Sequence, residues 1–211
     1  MAFRRVLDPM ERISEIMFGV IMALTFTCTL GIATTRVETV LIGALGCNLA
    51  WGIIDGTIFL LGRLHDRQRK ASMLRAMREA PDLSVARRII ADALPPMIAA
   101  VVPDEQLTSI RQKLHQLPDV AKQPSLVRRD LIGAAQICLL SFAATFPIAI
   151  PFLLIGDVRL ALRVSNLVAI AMLAFCGYFF GYRCGLRPWP TAVSIAVIGV
   201  ALVGVAILLG G

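Results

Sequence analysis

The stretch Val37 to Gly62, VETVLIGALGCNLAWGIIDGTIFLLG, decides the fold and carries the most informative residue, Asp55. A helix needs ~20 mostly apolar residues to cross a hydrocarbon core of ~30 Å, and this run is long enough. Asp55 then lies about two-thirds of the way across, where a carboxylate costs ~2.5–3.5 kcal/mol on insertion scales. Asn48, Gly52 and Asp55 fall on one helical face. An acid at that depth is either kept protonated against a neighbouring helix or handles protons or cations in a wet cavity. The second reading is the one adopted here.

The other long apolar segments are about 13–34, 131–155, 161–182 and 189–210. With 57% hydrophobic residues in a chain of 211 and a mean hydropathy of +0.77, these predict an all-α integral membrane protein. It has five transmembrane helices and a cytoplasmic helical insert between helices 2 and 3. The domains are 1–62, 63–129 and 130–211. Glu11 and Glu15 precede the first apolar run and no small-residue cleavage site ends it, so it reads as a retained span.

Charge placement sets the orientation. Of the 21 Lys and Arg residues, 13 fall between Arg63 and Arg129, against seven acids. Arg4, Arg5 and Arg12 precede the first span, and Arg183 and Arg187 lie between spans four and five. Basic loops stay on the cytoplasmic side. The N-terminus and the insert are therefore expected inside, with turns at 34–38 and 156–160 outside and the C-terminus outside. A bacterial cytoplasmic membrane is the expected location.

The insert reads as short amphipathic helices: Asp66 to Ala80, then a Pro81-Asp82 break and a helix from Leu83 to Leu94. Pro95-Pro96 interrupts, and Pro103-Asp104-Glu105 opens a last helix ending near Leu117. Met73, Leu74, Met77 and Ile89 supply apolar faces. Arg75, Arg78, Arg87 and Arg88 supply a basic face suited to anionic membrane lipids. Without interleaved aromatics, no nucleic-acid partner is expected.

The remaining side chains are mostly structural in this reading. Thr25, Thr27 and Thr29 satisfy themselves on their own helix. Cys28, Cys47, Cys138, Cys176 and Cys184 form no C-x-x-C pair and read as small interior residues. Met22 is a gap filler or a soft metal ligand. Gly52 and Gly56 form a G-x-x-x-G pair that permits another helix to approach Asp55 closely. Pro147 and Pro151 in TFPIAIPFLL bend span three and shape any path beside it. Trp189 marks an interface. No nucleophile elbow, zinc-protease helix, P-loop or dinucleotide fingerprint occurs, and His65 and His115 read as surface residues. No enzyme and no resident cofactor are expected.

ERISEIMFGVIMALTFTCTLGIA, GALGCNLAWGIIDG and FPIAIPFLL, with the last part from Ser165 to Gly211 and its basic turn before Pro188-Trp189, resemble the vacuolar iron transporter family. The likeness covers nearly all the membrane portion and marks a divergent branch. It implies a homodimer exchanging a divalent metal for protons along a path between subunits. In that family an Asp on helix 1 and a Met on helix 2 line the path. Here Met22 takes the Asp position and Asp55 stands near the Met position, which implies the same two ligand types exchanged between helices. Asn48, Gly52, Gly56, Pro147 and Pro151 would line the route. The family's metal-gathering E-x-x-E repeats are missing from the insert, where Arg75-Ala76-Met77-Arg78 stands with Glu79 alone. That loss supports an alternative function, a non-transporting scaffold that binds a partner or lipid through its insert.

Overall fold

A computed structural model describes residues 6–33, 36–116 and 125–210. Arg4 and Arg5, residues 34 and 35 at the start of the expected turn at 34–38, and the expected helix end at Leu117 lie outside them. Within the described residues the regular elements are all helices: α1 (Pro9–Ala33), α2 (Val37–Arg78), α3 (Leu83–Ala93), α4 (Pro96–Ala99), α5 (Asp104–His115), α6 (Arg128–Ala143), α7 (Thr145–Leu154), α8 (Val158–Arg183) and α9 (Pro188–Gly210). Among the described residues, five stretches are long and apolar enough to cross a membrane: Pro9–Thr29, Val37–Arg78, Arg128–Leu154, Val158–Arg183 and Pro188–Val205. The chain is thus an all-α protein with the helix set of a multi-pass membrane protein.

Three helix boundaries differ from the sequence reading. The second span and the first insert helix are one continuous helix of 42 residues. Nothing between Gly62 and Arg78 interrupts it, because that stretch holds no proline and a lone glycine costs a helix only about 1 kcal/mol. The third span divides into α6 and α7 at Ala144. Pro147 has no N–H to continue the α6 hydrogen-bond ladder, and its ring crowds the carbonyl one turn back. Pro96, read as part of an interruption, instead opens the four-residue α4, a position proline favours.

The chain forms two compact units, Met1–Phe59 with Arg128–Gly211, and Leu60–Val127. In the first, Val20, Ala23, Leu24 and Cys28 of α1 pack against Ala144, Ile148, Ala169 and Leu173. Helix α1 thus packs against α7 and α8 within this unit. Helix α8 ends at a turn through Gly185, whose φ of 70° suits a residue without Cβ. Trp189 is exposed, as are Val193, Val197 and Val200 along α9; in a membrane those side chains face lipid.

In the second unit Met77, Ala86, Ile90 and Leu107 form the core, with Leu74 and Ile89 packed against it. Arg78 donates to the Leu114 carbonyl at 3.1 Å. Asp82 caps α3 by accepting from the Val85 N–H at 2.9 Å and from the Ser84 hydroxyl at 2.7 Å. The Val85 bond first, and the Ser84 bond second, hold its carboxyl below the usual aspartate range. A carboxyl lowered in the folded state stabilises above its unfolded pKa, ~3.9, and loses that contribution as pH falls through the lowered value. The Val85 amide resonance is expected to titrate with Asp82 below about pH 4, and Asp82→Asn is expected to remove that titration.

Candidate functional site

The site is built where α1, α2 and α6 meet. Closeness comes first from glycine. A Cβ on Gly52 would stand 3.0 Å from the Cys138 Cα and carbonyl oxygen, and one on Gly56 would stand 3.0 Å from the Ala134 oxygen. The G-x-x-x-G face is thus the surface on which α6 lies. On α1, a Cβ at Gly19 would come within 2.7 Å of the Ser141 oxygen. Three backbones converge, and any side chain on those faces is shielded from lipid.

Asn48 is the polar centre of this junction. It is fully buried. Its Nδ2 donates to the Gly19 carbonyl at 3.0 Å and to the Thr145 hydroxyl, so a single amide ties α1, α2 and α7. Its Oδ1 has no hydrogen-bond partner among the described residues, and the same holds for Ser141 Oγ, Asp55 Oδ2 and Gln136 Oε1. Buried acceptors in native proteins almost always find a donor.

Asp55, two turns along α2 from Asn48, is half-buried. Asn48 with Gly19 and Trp51 with Phe18 (ring centroids 5.8 Å) set one antiparallel alignment of the two helices, which brings Glu15 of α1 to the Asp55 level. Two carboxyls facing each other repel unless a proton or a cation is shared between them. Glu15 was not singled out in the sequence. Its signal was its position four residues before Gly19, on the face that carries Phe18 and Met22.

The expected residues fall into place unevenly. Asn48, Gly52, Gly56 and Asp55 line one face of α2. Met22 lies on the Glu15 face of α1 but seven residues further on, about 10 Å along the axis at 1.5 Å per residue. Within one subunit, then, Met22 belongs to the Asn48 level and Glu15 to the Asp55 level. Pro151 is buried and Pro147 half-buried in α7. Between them, the buried Ser165 hydroxyl donates to the Ile148 carbonyl at 2.8 Å and ties α8 to α7. No three His, Cys, Asp or Glu side chains converge as a metal cluster among the described residues. Asp55 and Glu15 offer two carboxylates from one copy of the chain.

Other side chains resolve more simply. All five cysteines are unpaired thiols. Thr25 and Thr29 bond to carbonyls four residues back and Thr27 to one three back. Of the four insert arginines, Arg88 is exposed. Arg87 donates to Thr108, Arg75 to Ser72 and Arg78 to the Leu114 backbone. Comparison with protein-family models finds no match for this chain, and comparison with curated proteins finds none either.

Proposed function

We propose that this chain is a small membrane transporter resembling the vacuolar iron transporters. It moves a divalent metal ion or another small solute in exchange for protons. The observation that carries the proposal is the Asp55 carboxyl, whose buried Oδ2 lacks a partner among the described residues, with Glu15 brought to its level by the alignment of α1 on α2. An acid held only for packing would be hydrogen-bonded; an acid that takes up and releases a small cation cannot be permanently satisfied. In this reading the working unit is a homodimer. Two carboxylates from each copy make four oxygen ligands about the shared axis, with the Met22 thioethers of both copies further along the path. The basic insert then lies on the cytoplasmic side, its exposed Arg88 toward anionic lipid.

A second reading keeps the scaffold without transport. It is favoured by an apolar cavity of about 370 Å³ in the insert, lined by Met73, Met77, Ile90 and Leu94 with Lys70 among them and no carboxylate. Such a cavity suits a partner side chain or a lipid better than a metal.

Metal-dependent stability separates the two. A ligand at 100 times its dissociation constant adds ~2.7 kcal/mol to the folded state. Purified protein titrated with iron(II), manganese, zinc or cobalt is expected to gain stability with at least one of them, and Asp55→Asn to gain none. Absence of any shift in the wild type favours the scaffold.

A further inference from the structure

Between α3 and α5 the basic insert turns apolar. Leu94 to Pro103 (LPPMIAAVVP) holds no charged side chain, hydroxyl or amide. Within it Met97 is 85% exposed, Val101 76% and Ile98 47%. Single exposed apolar residues are ordinary, but three within five positions make a patch. Leu94 and Val102 turn the other way and pack on the Met77, Ile90 and Leu107 core. The connection is thus a folded tip built on α4, with an inner face already used and an outer face that is apolar as well.

Contacts within the insert fix where this tip lies. Arg78, at the end of α2, donates to the Leu114 carbonyl near the end of α5 at 3.1 Å. Arg87 of α3 donates to Thr108 of α5 at 3.2 Å, and Leu83 shares a groove with His115. Helices α3 and α5 are therefore antiparallel, with Leu83 and His115 at the Arg78 end. The end of α3, α4 and the start of α5 lie at the opposite end, and Ala93 and Leu94 accordingly line a cavity with Lys70. From Leu114 back to Pro103 the rise is about 16 Å at 1.5 Å per residue. The same distance back along α2 from Arg78 reaches Arg67. Arg67 donates to the carbonyl of Ser125, just before the membrane-crossing stretch that starts at Arg128.

The apolar part of α2 ends at Gly62 and is followed by Arg63, Asp66, Arg67, Arg69 and Lys70. The Arg67 level stands about 8 Å beyond Gly62 along the helix. A bilayer is ~40–45 Å thick with its headgroups and ~30 Å without, so each headgroup layer is about 5–8 Å deep. The tip is at headgroup depth.

We propose that the α4 tip is an interfacial anchor, with Met97, Ile98 and Val101 inserted into the lipid leaflet on the insert's side of the membrane. Apolar side chains of this kind bury themselves at the boundary of headgroups and acyl chains. Arg63, Arg67, Arg69 and Lys70 lie at the same depth with one acid, Asp66, among them, and draw anionic headgroups to it. Asp92 and Glu105 stand exposed on either side of the apolar run and keep its ends in water. A soluble protein docking on the tip would have to displace lipid already at that depth. The anchor holds the insert on the membrane whether or not the chain transports an ion.

The test uses the full chain in nanodiscs of mixed zwitterionic and anionic phospholipid, with Trp51→Phe and Trp189→Phe removing the native indoles. Met97→Trp then reports on the tip, and Gln112→Trp, at an exposed position of α5, reports on solvent. Phospholipids brominated near the headgroup end of their chains are expected to quench the indole at position 97 about twofold and to leave that at 112 unchanged. Aqueous iodide is expected to do the reverse. An indole at 97 that iodide reaches as freely as the one at 112 overturns the proposal. Blue-shifted emission insensitive to bromine means that protein, such as a second insert, covers the tip, and overturns it too. Because an indole itself favours the interface, the unsubstituted chain is tested as well, which also decides should the variants not fold. Irradiated in nanodiscs with a phospholipid carrying a diazirine near its headgroup, it is expected to take label within residues 95–102 and none within 105–116. Absence of label from 95–102 overturns the anchor. The metal titration is unaffected by either result, so the anchor and the transporter stand or fall separately.

Discussion

Asn48→Ala is expected to lower the stability of the membrane unit by about 2 kcal/mol, the largest loss for any single polar side chain in it. The number has two sources. Interhelical hydrogen bonds in membranes average ~0.6 kcal/mol, with ~1.7 the largest measured, and this amide makes one to the Gly19 carbonyl and one to Thr145. Removing the carboxamide also leaves a void between three helices that glycine has drawn together, so the surroundings cannot close over it. Asn48→Leu separates the sources, since leucine fills the void and makes neither bond. It is expected to lose about half as much, with Thr145 turning to a carbonyl of its own helix. Reversible unfolding in mixed micelles, with Thr145→Val as the partner in a double-mutant cycle, reads the coupling. Independent effects for the two substitutions would show that the amide does not join α2 to α7.

What the sequence revealed and what it concealed follow from the range of the forces involved. Helical periodicity is local, so the shared face of Asn48, Gly52 and Asp55 could be read directly, and the close approach at Gly52 and Gly56 followed from the missing side chains. The continuous α2 was equally local but was misread. The change from apolar to basic composition after Gly62 looked like an end, although nothing there breaks a helix. The division at Ala144 lay between the expectation of a kink at Pro147 and the stronger outcome, a break. Glu15 was concealed because an acid near the start of an apolar run reads as a flank; only the alignment of α1 on α2 brings it to Asp55. Ser141 was concealed for the same reason. Its hydroxyl is identical in sequence terms to that of Ser194, and the difference lies in which helix stands beside it.

The insert shows the limits of composition in another way. Its arginines read as one basic surface, but Arg78 and Arg87 serve as ties between helices of the insert, because a guanidinium carries enough donors to reach a carbonyl or hydroxyl as well as solvent. Replacing the set together would therefore change folding and surface charge at once. Arg88 is the one of the four to substitute when lipid attraction alone is in question.

Transport by Asp55→Asn is the other large effect and bears on the central claim. Asparagine matches the aspartate in shape and keeps a carbonyl oxygen, so the helix seam should persist and the protein should still assemble. It offers no carboxylate to a metal and no exchangeable acidic proton. Exchange of a divalent ion for protons through this site then has no carrier, and Glu15 alone supplies half the charge. The measurement is ion flux with simultaneous internal pH in proteoliposomes, wild type beside Asp55→Asn, using the ion that stabilises the purified protein. The account predicts coupled metal and proton movement in the wild type and neither above the protein-free level in an assembled Asp55→Asn. Wild-type flux in that variant would contradict it.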